Sequence, residues 1–286
     1  MKRLRAERIR ASLFRHGVLL IGVFIVAFPI WVAFVGSTVS LREIRTVPMP
    51  LLPGSLGFET YWSVLTEGGG ALSRKTPVGI MLWNSLVMAV CVALGKIVIS
   101  ILSAFAIVYF RFPGRMLFFW LIFVTLMLPA EVRILPTFQV VADLGMLDSY
   151  GGLIVPLLAS ATATFLFRQF FLTVPKELAE AARMDGAGPL RFLWSILLPL
   201  SMTNIAALFV VLFIYGWNQY LWPLLITTDN KMDTIVIGIK RMLAAADDQV
   251  EWPVVMATTM LAMLPPVLVV VLMQRWFVKG LVDTEK

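Results

Sequence analysis

Four groups of side chains carry whatever chemistry this sequence can perform. Lys96 is a lone cation inside a long apolar run, and Glu131 with Arg133 follows directly on Pro129. Asn218 and Gln219 form an amide pair, and the segment from Lys176 to Gly186 concentrates the charges Glu177, Glu180, Arg183 and Asp185. None of these is a reactive constellation. The one histidine, His16, sits in a basic N-terminal segment, and the one cysteine, Cys91, lies in apolar sequence. That leaves no His/Cys cluster for zinc, no Ser/His pairing for nucleophilic attack and no partner for a disulfide. Gly95-Lys96 lacks the earlier glycine and the following Ser/Thr of a phosphate-binding loop, and Gly186-x-Gly188 lacks the third glycine and preceding strand of a dinucleotide site. What remains is non-covalent work: holding a solute, pairing charges and docking a partner.

The elements that position these groups are membrane helices. Of 286 residues, 59% are hydrophobic and 14% charged, where soluble domains carry about 45–50% and about 25%. The net charge of +7 does not indicate nucleic acid, because the basic residues alternate with apolar runs and form no single-faced patch. Six stretches, roughly 17–37, 80–109, 116–135, 150–172, 200–224 and 254–278, reach the length of about 20 apolar residues that a spanning helix needs. The expected fold is therefore all-α and polytopic: a basic N-terminus (1–16) and a single transmembrane domain (17–286). With the N-terminus inside, the cytoplasmic segments hold fifteen Lys/Arg and the outer ones eight, with Lys96 alone within a span, which sets the topology as N-in and C-in. The first apolar stretch is longer than a signal-peptide core and has no A-x-A site, which argues against cleavage. Segment 38–79, rich in Pro and Gly with charges of both signs, reads as an extracytoplasmic loop.

Two spans are expected to break, the third at Pro129 and the sixth at Pro265-Pro266, because proline removes a backbone donor. Freed backbone persists at membrane depth only beside protein or a water-filled cavity, so breaks hint at a transport pathway, although a kink can also serve packing alone. Ala89 with Ala93, and Ser100 with Ala104, place small residues at a spacing that permits close helix contact. At about 16 residues, or about 24 Å, along its helix, Lys96 is deep enough to face the bundle interior or a cavity.

The connection between the fourth and fifth spans, about 173–199, is the most specific segment. Pro175 is preset for a first helical turn, strong helix formers follow, and Gly186 permits a left-handed end. The result is a helix of about ten residues and about 15 Å, too short to cross a bilayer. Leu178, Ala181, Ala182 and Asp185 share one face, where small alanines let another protein's surface approach. Glu180 and Arg183 lie one turn apart and could pair, for about 0.2–0.5 kcal/mol. Such a pair does not account for a short, Ala-rich, exposed helix with Gly-x-Gly-Pro punctuation; docking into a partner's groove does.

Glu180-Ala181-Ala182, three residues, Gly186, nine residues, Ile196, one residue, Leu198-Pro199: this spacing resembles the EAA loop of permease subunits in binding-protein-dependent ABC importers. Arg168-Gln169-Phe170-Phe171 and Tyr215-Gly216-Trp217-Asn218 are similar to the carbohydrate-uptake branch. Within it, Thr125 to Pro129 with Glu131 and Arg133, Ala159 to Arg168, Phe213 to Trp222, Ser201 to Asn204 and Gly280 to Asp283 are similar to the members that import sn-glycerol-3-phosphate. The likeness is weakest in 38–79 and around 228–250. It implies the MetI-like permease fold in a bacterial inner membrane, with half of a translocation pathway in this chain. The implied partners are a second homologous permease, two copies of a cytoplasmic ATPase that bind the ATP and magnesium, an extracytoplasmic solute-binding protein and the lipid bilayer, without nucleic acid. No cofactor is implied in this chain, which is not itself an enzyme. Glu180, Ala181, Ala182, Arg183, Asp185, Gly186, Ile196 and Pro199 would form the coupling segment, with Glu180 facing a basic residue of the ATPase.

The implied cargo is sn-glycerol-3-phosphate, with glycerophosphodiesters; another sugar or oligosaccharide in the same role, or an ion-coupled carrier, are the alternatives. A phosphate ester needs cations at modest affinity, since a solute held tightly does not leave. Lys96 and Arg133 supply them, with Glu131, Asn218 and Gln219 as further lining. The competing roles are a structural pair across subunits for Lys96, an interface anchor paired with Glu131 for Arg133, a snorkelling anchor for Arg168, and helix-to-helix bonding for the amides.

Overall fold

In hydrocarbon every backbone N–H and C=O must bond within its own segment, so apolar runs of this length have helix as their only open-chain solution. The computed structural model describes the backbone of residues 2–68, 76–125, 130–244 and 250–282, and the side chains of 12–68, 76–125, 132–244 and 250–276. Among the described residues the fold is all-α. The helices are α1 (Lys2–Thr38), α2 (Leu41–Ile44), α3 (Gly57–Glu67), α4 (Val78–Tyr109), α5 (Arg115–Val124), α6 (Ala130–Asp143), α7 (Tyr150–Ile154) and α8 (Ala161–Thr173). They continue as α9 (Lys176–Met184), α10 (Pro189–Phe192), α11 (Leu198–Leu200), α12 (Met202–Trp217), α13 (Leu221–Ile226), α14 (Ile235–Leu243) and α15 (Trp252–Val282).

Three helices are individually long and apolar enough to cross a membrane: Ser12–Thr38, Val78–Tyr109 and Trp252–Trp276. Two bent helix pairs are long and apolar enough only when each is taken together: Tyr150–Leu157 with Ala161–Thr173 at 48°, and Pro189–Leu200 with Met202–Trp217 at 74°. The expected third span starts as the ten-residue α5; Pro129, its expected break, lies outside the described residues. The break expected at Pro265-Pro266 is absent, and α15 runs from Trp252 to Val282 with both prolines inside it. Each proline removes one donor but leaves the turns on either side intact, and neighbouring groups in a membrane can satisfy what it frees. The fifth span instead ends early, at Trp217, where Asn218 to Tyr220 separate α12 from α13.

The chain divides into two compact units, residues 1–79 with 239–263, and residues 80–238 with 264–286. In the first, segment 38–79 contains α2 and α3 where only a loop was expected. Ser40 and Glu43 start α2 as a capping box, and the hydrogen bonds from Ser40 hold the Glu43 carboxyl below its usual range. The Ser37 hydroxyl donates to the Phe34 carbonyl at 2.6 Å and meets Tyr61 Oη at 2.6 Å, tying α3 to the end of α1.

In the second unit, small residues set the helix spacing. Burying apolar groups from lipid brings no transfer gain, so close packing and hydrogen bonds must hold such helices together. Gly216 brings α12 so near α4 that an added Cβ would lie 2.9 Å from Ala89 Cα, and at Gly95 it would lie 2.4 Å from Leu158. Polar links fix the far end. Asn84 donates to the carbonyls of Lys231 (2.8 Å) and Asp233 (3.0 Å) and accepts from Tyr150 Oη at 2.6 Å. Asp148, at φ 51°, accepts from the amides of Thr228 (2.6 Å) and Asp229 (2.8 Å) and from the Thr228 hydroxyl. These bonds favour the charged form and hold its carboxyl below the usual aspartate range.

Candidate functional site

Two places in the second unit gather the side chains singled out by the sequence, and α4 runs between them. The first is the loop that begins at Val174. Pro175 is extended, with φ −55° and ψ 134°, and caps α9 from outside instead of forming its first turn. The helix then covers Lys176–Met184, nine residues, with Glu177 in its first turn and Arg183 in its last, each opposite in sign to the helix dipole there. Gly186 has φ 73°. Its amide bonds the Arg183 carbonyl at 3.0 Å, and the Ala187 amide bonds the Ala182 carbonyl at 2.8 Å. This pair of bonds is a Schellman motif, which a left-handed residue makes possible and which only glycine adopts without strain.

The shared face predicted for α9 divides in two. Ala182 is buried, lining a cavity of about 430 Å³ with Phe105, Tyr109, Phe110 and Phe192. It faces its own chain, because the aromatic end of α4 lies directly beneath α9. The outward stripe is Glu177, Glu180, Ala181 and Met184, and Met184 is 83% exposed. Leu190 and Trp194, farther along the loop, are also exposed, at 65% and 69%. The sequence reading missed all three apolar residues, although Met184 lies at i+4 from Glu180 and so was findable on the helix face. Among the described residues, Glu180 and Arg183 form no ion pair. Asp185 is exposed and caps α9.

The second half of the loop is bent by its proline. Leu193–Leu197 form a π turn, with the Leu198 amide bonded to the Leu193 carbonyl. Pro199 has no amide hydrogen and its ring crowds the carbonyl four residues earlier, which favours such a widened turn. Ser201 is fully buried, its hydroxyl donating to the Leu197 carbonyl at 2.5 Å, and the chain then turns by 74° into α12. Ile196 is half-buried and Pro199 exposed. Phe192 packs edge-on against Tyr109 at 5.2 Å, and Tyr109 meets Phe171 at 6.2 Å. Both halves of the loop thus rest on the last turn of α4.

The second place lies thirteen residues back along α4, about 20 Å at helical rise. Lys96, 7% exposed, lines a cavity of about 480 Å³, and its Nζ sits 4.0 Å over the Tyr215 ring. Arg133 lines the same cavity. Among the described lining residues there is no carboxylate; the side chain of Glu131 lies outside the described residues. The floor is the start of α8, where Ser160, Ala161, Thr162 and Thr164 line the cavity. Ser160 Oγ accepts from the Ala163 amide at 3.3 Å, and the Thr164 hydroxyl donates to the Ser160 carbonyl at 2.9 Å, close to Ser100 Oγ at 3.2 Å. A helix N-terminus carries partial positive charge and exposed amides, so two cations, this terminus and several hydroxyls converge on one space. Asn218 and Gln219 lie outside its lining, at the helix break, where the Gln219 side chain donates through Nε2 to the Tyr215 carbonyl at 3.3 Å. Tyr215, one turn earlier, takes the place expected for them. Arg168 stacks on Phe119, its guanidinium 4.2 Å from the ring, away from the cavity lining.

Residues 96–283 match the family described as binding-protein-dependent transport system inner membrane component. The chain is 60% identical to the sn-glycerol-3-phosphate transport system permease protein UgpE of Brucella melitensis, over 98% of this chain and 99% of that one. It is 61% identical to the protein of the same name from Rhizobium meliloti, over 96% and 98%, and 59% identical to that of Pectobacterium atrosepticum, over 96% and 97%. Among solved structures it is similar to a chain of a bacterial ABC transporter involved in the import of the acidic polysaccharide alginate. There the TM-score is 0.79 at 23% identity, over 96% of this chain and 98% of that one, a likeness of fold.

Proposed function

This chain belongs to the binding-protein-dependent transport system inner membrane components, and from that membership we infer that it forms half of the pathway by which an ATP-driven importer takes up sn-glycerol-3-phosphate. It is a transport subunit of the inner membrane, working with an ATPase and a solute-binding protein. In the fuller assembly we propose, a second homologous permease completes the pathway, and two ATPase copies hold the ATP and magnesium. Both termini and α9 then face the cytoplasm.

The observation that carries the cargo is the cavity itself. Lys96 and Arg133 line it with the start of α8, and no described carboxylate opposes them. A phosphomonoester carries up to two negative charges, which two cations and a helix terminus match. Tyr215 holds Lys96 through its ring face and leaves the ammonium donors free for the cargo. Affinity stays modest because the contacts are few and Arg133 is exposed.

Coupling follows from the loop's seat on α4. ATPase closure moves α9 through Glu180 and its neighbours; the Schellman turn at Gly186 keeps α9 and α10 in fixed relation, and Phe192 and Ala182 press on the end of α4. Since α4 also carries Lys96, a tilt of this helix alters the cavity.

The reading is tested by uptake of labelled sn-glycerol-3-phosphate into vesicles with the whole complex, in competition with maltose and with glycerophosphodiesters. Inhibition by unlabelled sn-glycerol-3-phosphate, none by maltose, and loss of uptake when the ATPase is omitted are expected. Strong inhibition by maltose alone rejects the cargo, and uptake that persists without the ATPase rejects the importer.

A further inference from the structure

We propose that a second cavity, beneath α9, holds the headgroup of an anionic phospholipid, whose phosphate is the group recognised. The cavity measures about 340 Å³ and lies where α4 and α8 end and α9 begins. Four cations line it: Arg111 between α4 and α5, Arg115 at the start of α5, and Lys176 and Arg183 on α9. Glu180 is the one carboxylate among them, leaving an excess of three positive charges. Among the described residues, none of these five side chains forms a salt bridge. Gathering like charges costs energy unless a counter-ion sits among them, and arginine forks fit phosphate oxygens in pairs.

The rest of the lining separates a lipid from a free anion. Val108, Leu172 and Val174 make an apolar wall, with the rings of Tyr109 and Phe171 at the ends of their helices. Leu172 is 54% exposed. Inorganic phosphate gains nothing from such a wall, whereas a phospholipid lays its chains along α4 and α8 and its phosphate among the cations. Basic pockets between helices on the cytoplasmic side suit anionic headgroups. The inference rests on the orientation proposed above, which puts α9 in the cytoplasm. Three of the four outward residues of α9, Glu177, Ala181 and Met184, lie outside its lining, so the surface offered to an ATPase meets this space only at Glu180. A bound headgroup braces α9 against α4, so anionic lipid strengthens coupling.

The test uses the complete complex in nanodiscs of phosphatidylcholine alone, or of phosphatidylcholine and phosphatidylglycerol in equal parts. Retained phosphatidylglycerol is counted by native mass spectrometry, and binding-protein-stimulated ATP hydrolysis is measured in parallel. The unmodified complex is expected to retain phosphatidylglycerol and to hydrolyse ATP several-fold faster in its presence. In the R111Q/R115Q double variant retention falls about fivefold per charge removed and the stimulation disappears, while R111K/R115K keeps most of both. Three results overturn the site: equal retention in R111Q/R115Q, the same stimulation from inorganic phosphate in phosphatidylcholine nanodiscs, or loss of the ATPase from the purified R111Q/R115Q complex, which would make it a protein contact. If the unmodified complex shows no binding-protein-stimulated hydrolysis at all, the importer reading fails, and the lipid count still decides the site.

Discussion

The loop proposed to couple and the cation-lined cavity are assembled in opposite ways. The loop takes every part from one continuous stretch, Pro175 to Pro199, and its bonds close within a few residues, as in the Schellman pair at Gly186. The cavity draws Lys96 from α4, Ile122 from α5, Arg133 from α6, Thr162 from α8 and Tyr215 from α12. A device that receives force needs local rigidity, which neighbouring residues supply. A space that must change shape needs parts on helices that move separately. α4 belongs to both, with Tyr109 under the loop and Lys96 in the cavity.

This division of labour can be broken most severely at the turn. Gly186→Pro fixes φ near −65° where the chain needs 73° and removes the bond to Arg183. A strain of about 3 kcal/mol or more should cut ATP-coupled uptake by roughly a hundredfold, read in proteoliposomes. Next comes Lys96→Met. Losing hydrogen bonds between a charged group and the cargo costs about 1.5–3 kcal/mol, or roughly 10- to 100-fold in uptake, while binding-protein-stimulated ATP hydrolysis should hold within about twofold because the loop is intact. Glu180→Ala should do the converse, lowering stimulated hydrolysis by about tenfold, or about 1.4 kcal/mol, and uptake in proportion. Ser160→Ala removes the α8 cap at a cost of about 1 kcal/mol, for about a fivefold loss of uptake measured at low cargo concentration.

The smallest effect sharpens the contrast from a third place. The carboxyl of Asp148 titrates below its ordinary value of 3.8, so its clip is fully present above that value and is lost as pH falls through the lower folded one. Protection of the Thr228 and Asp229 amides against hydrogen exchange should therefore be unchanged from pH 7 down to ordinary aspartate values and weaken only below them.

Legibility followed the same division. The α9 helix and its glycine end could be read from Pro175 and Gly186, because turn chemistry is local, and the long apolar runs announced α1, α4 and α15 directly. The inward aim of Ala182 could not, since Phe105, Tyr109 and Phe192 decide it from elsewhere in the chain. Nor could the shared cavity of Lys96 and Arg133, which is set by how α4 packs at Gly95 and against Gly216. Ser160 before an apolar run was a readable cap signal, yet its meaning came only from the cations above it. Pro265-Pro266 misled because a proline in sequence states a lost donor and not whether the helix survives it.

The most direct measurement is the number of ATP molecules hydrolysed per sn-glycerol-3-phosphate imported by the reconstituted Lys96→Met complex. If cargo is held in the cavity and force enters at the loop, this ratio rises well above that of the unmodified complex at a near-normal hydrolysis rate. If uptake and hydrolysis fall together and the ratio stays the same, Lys96 serves the coupling machinery and the separation of the two regions is wrong.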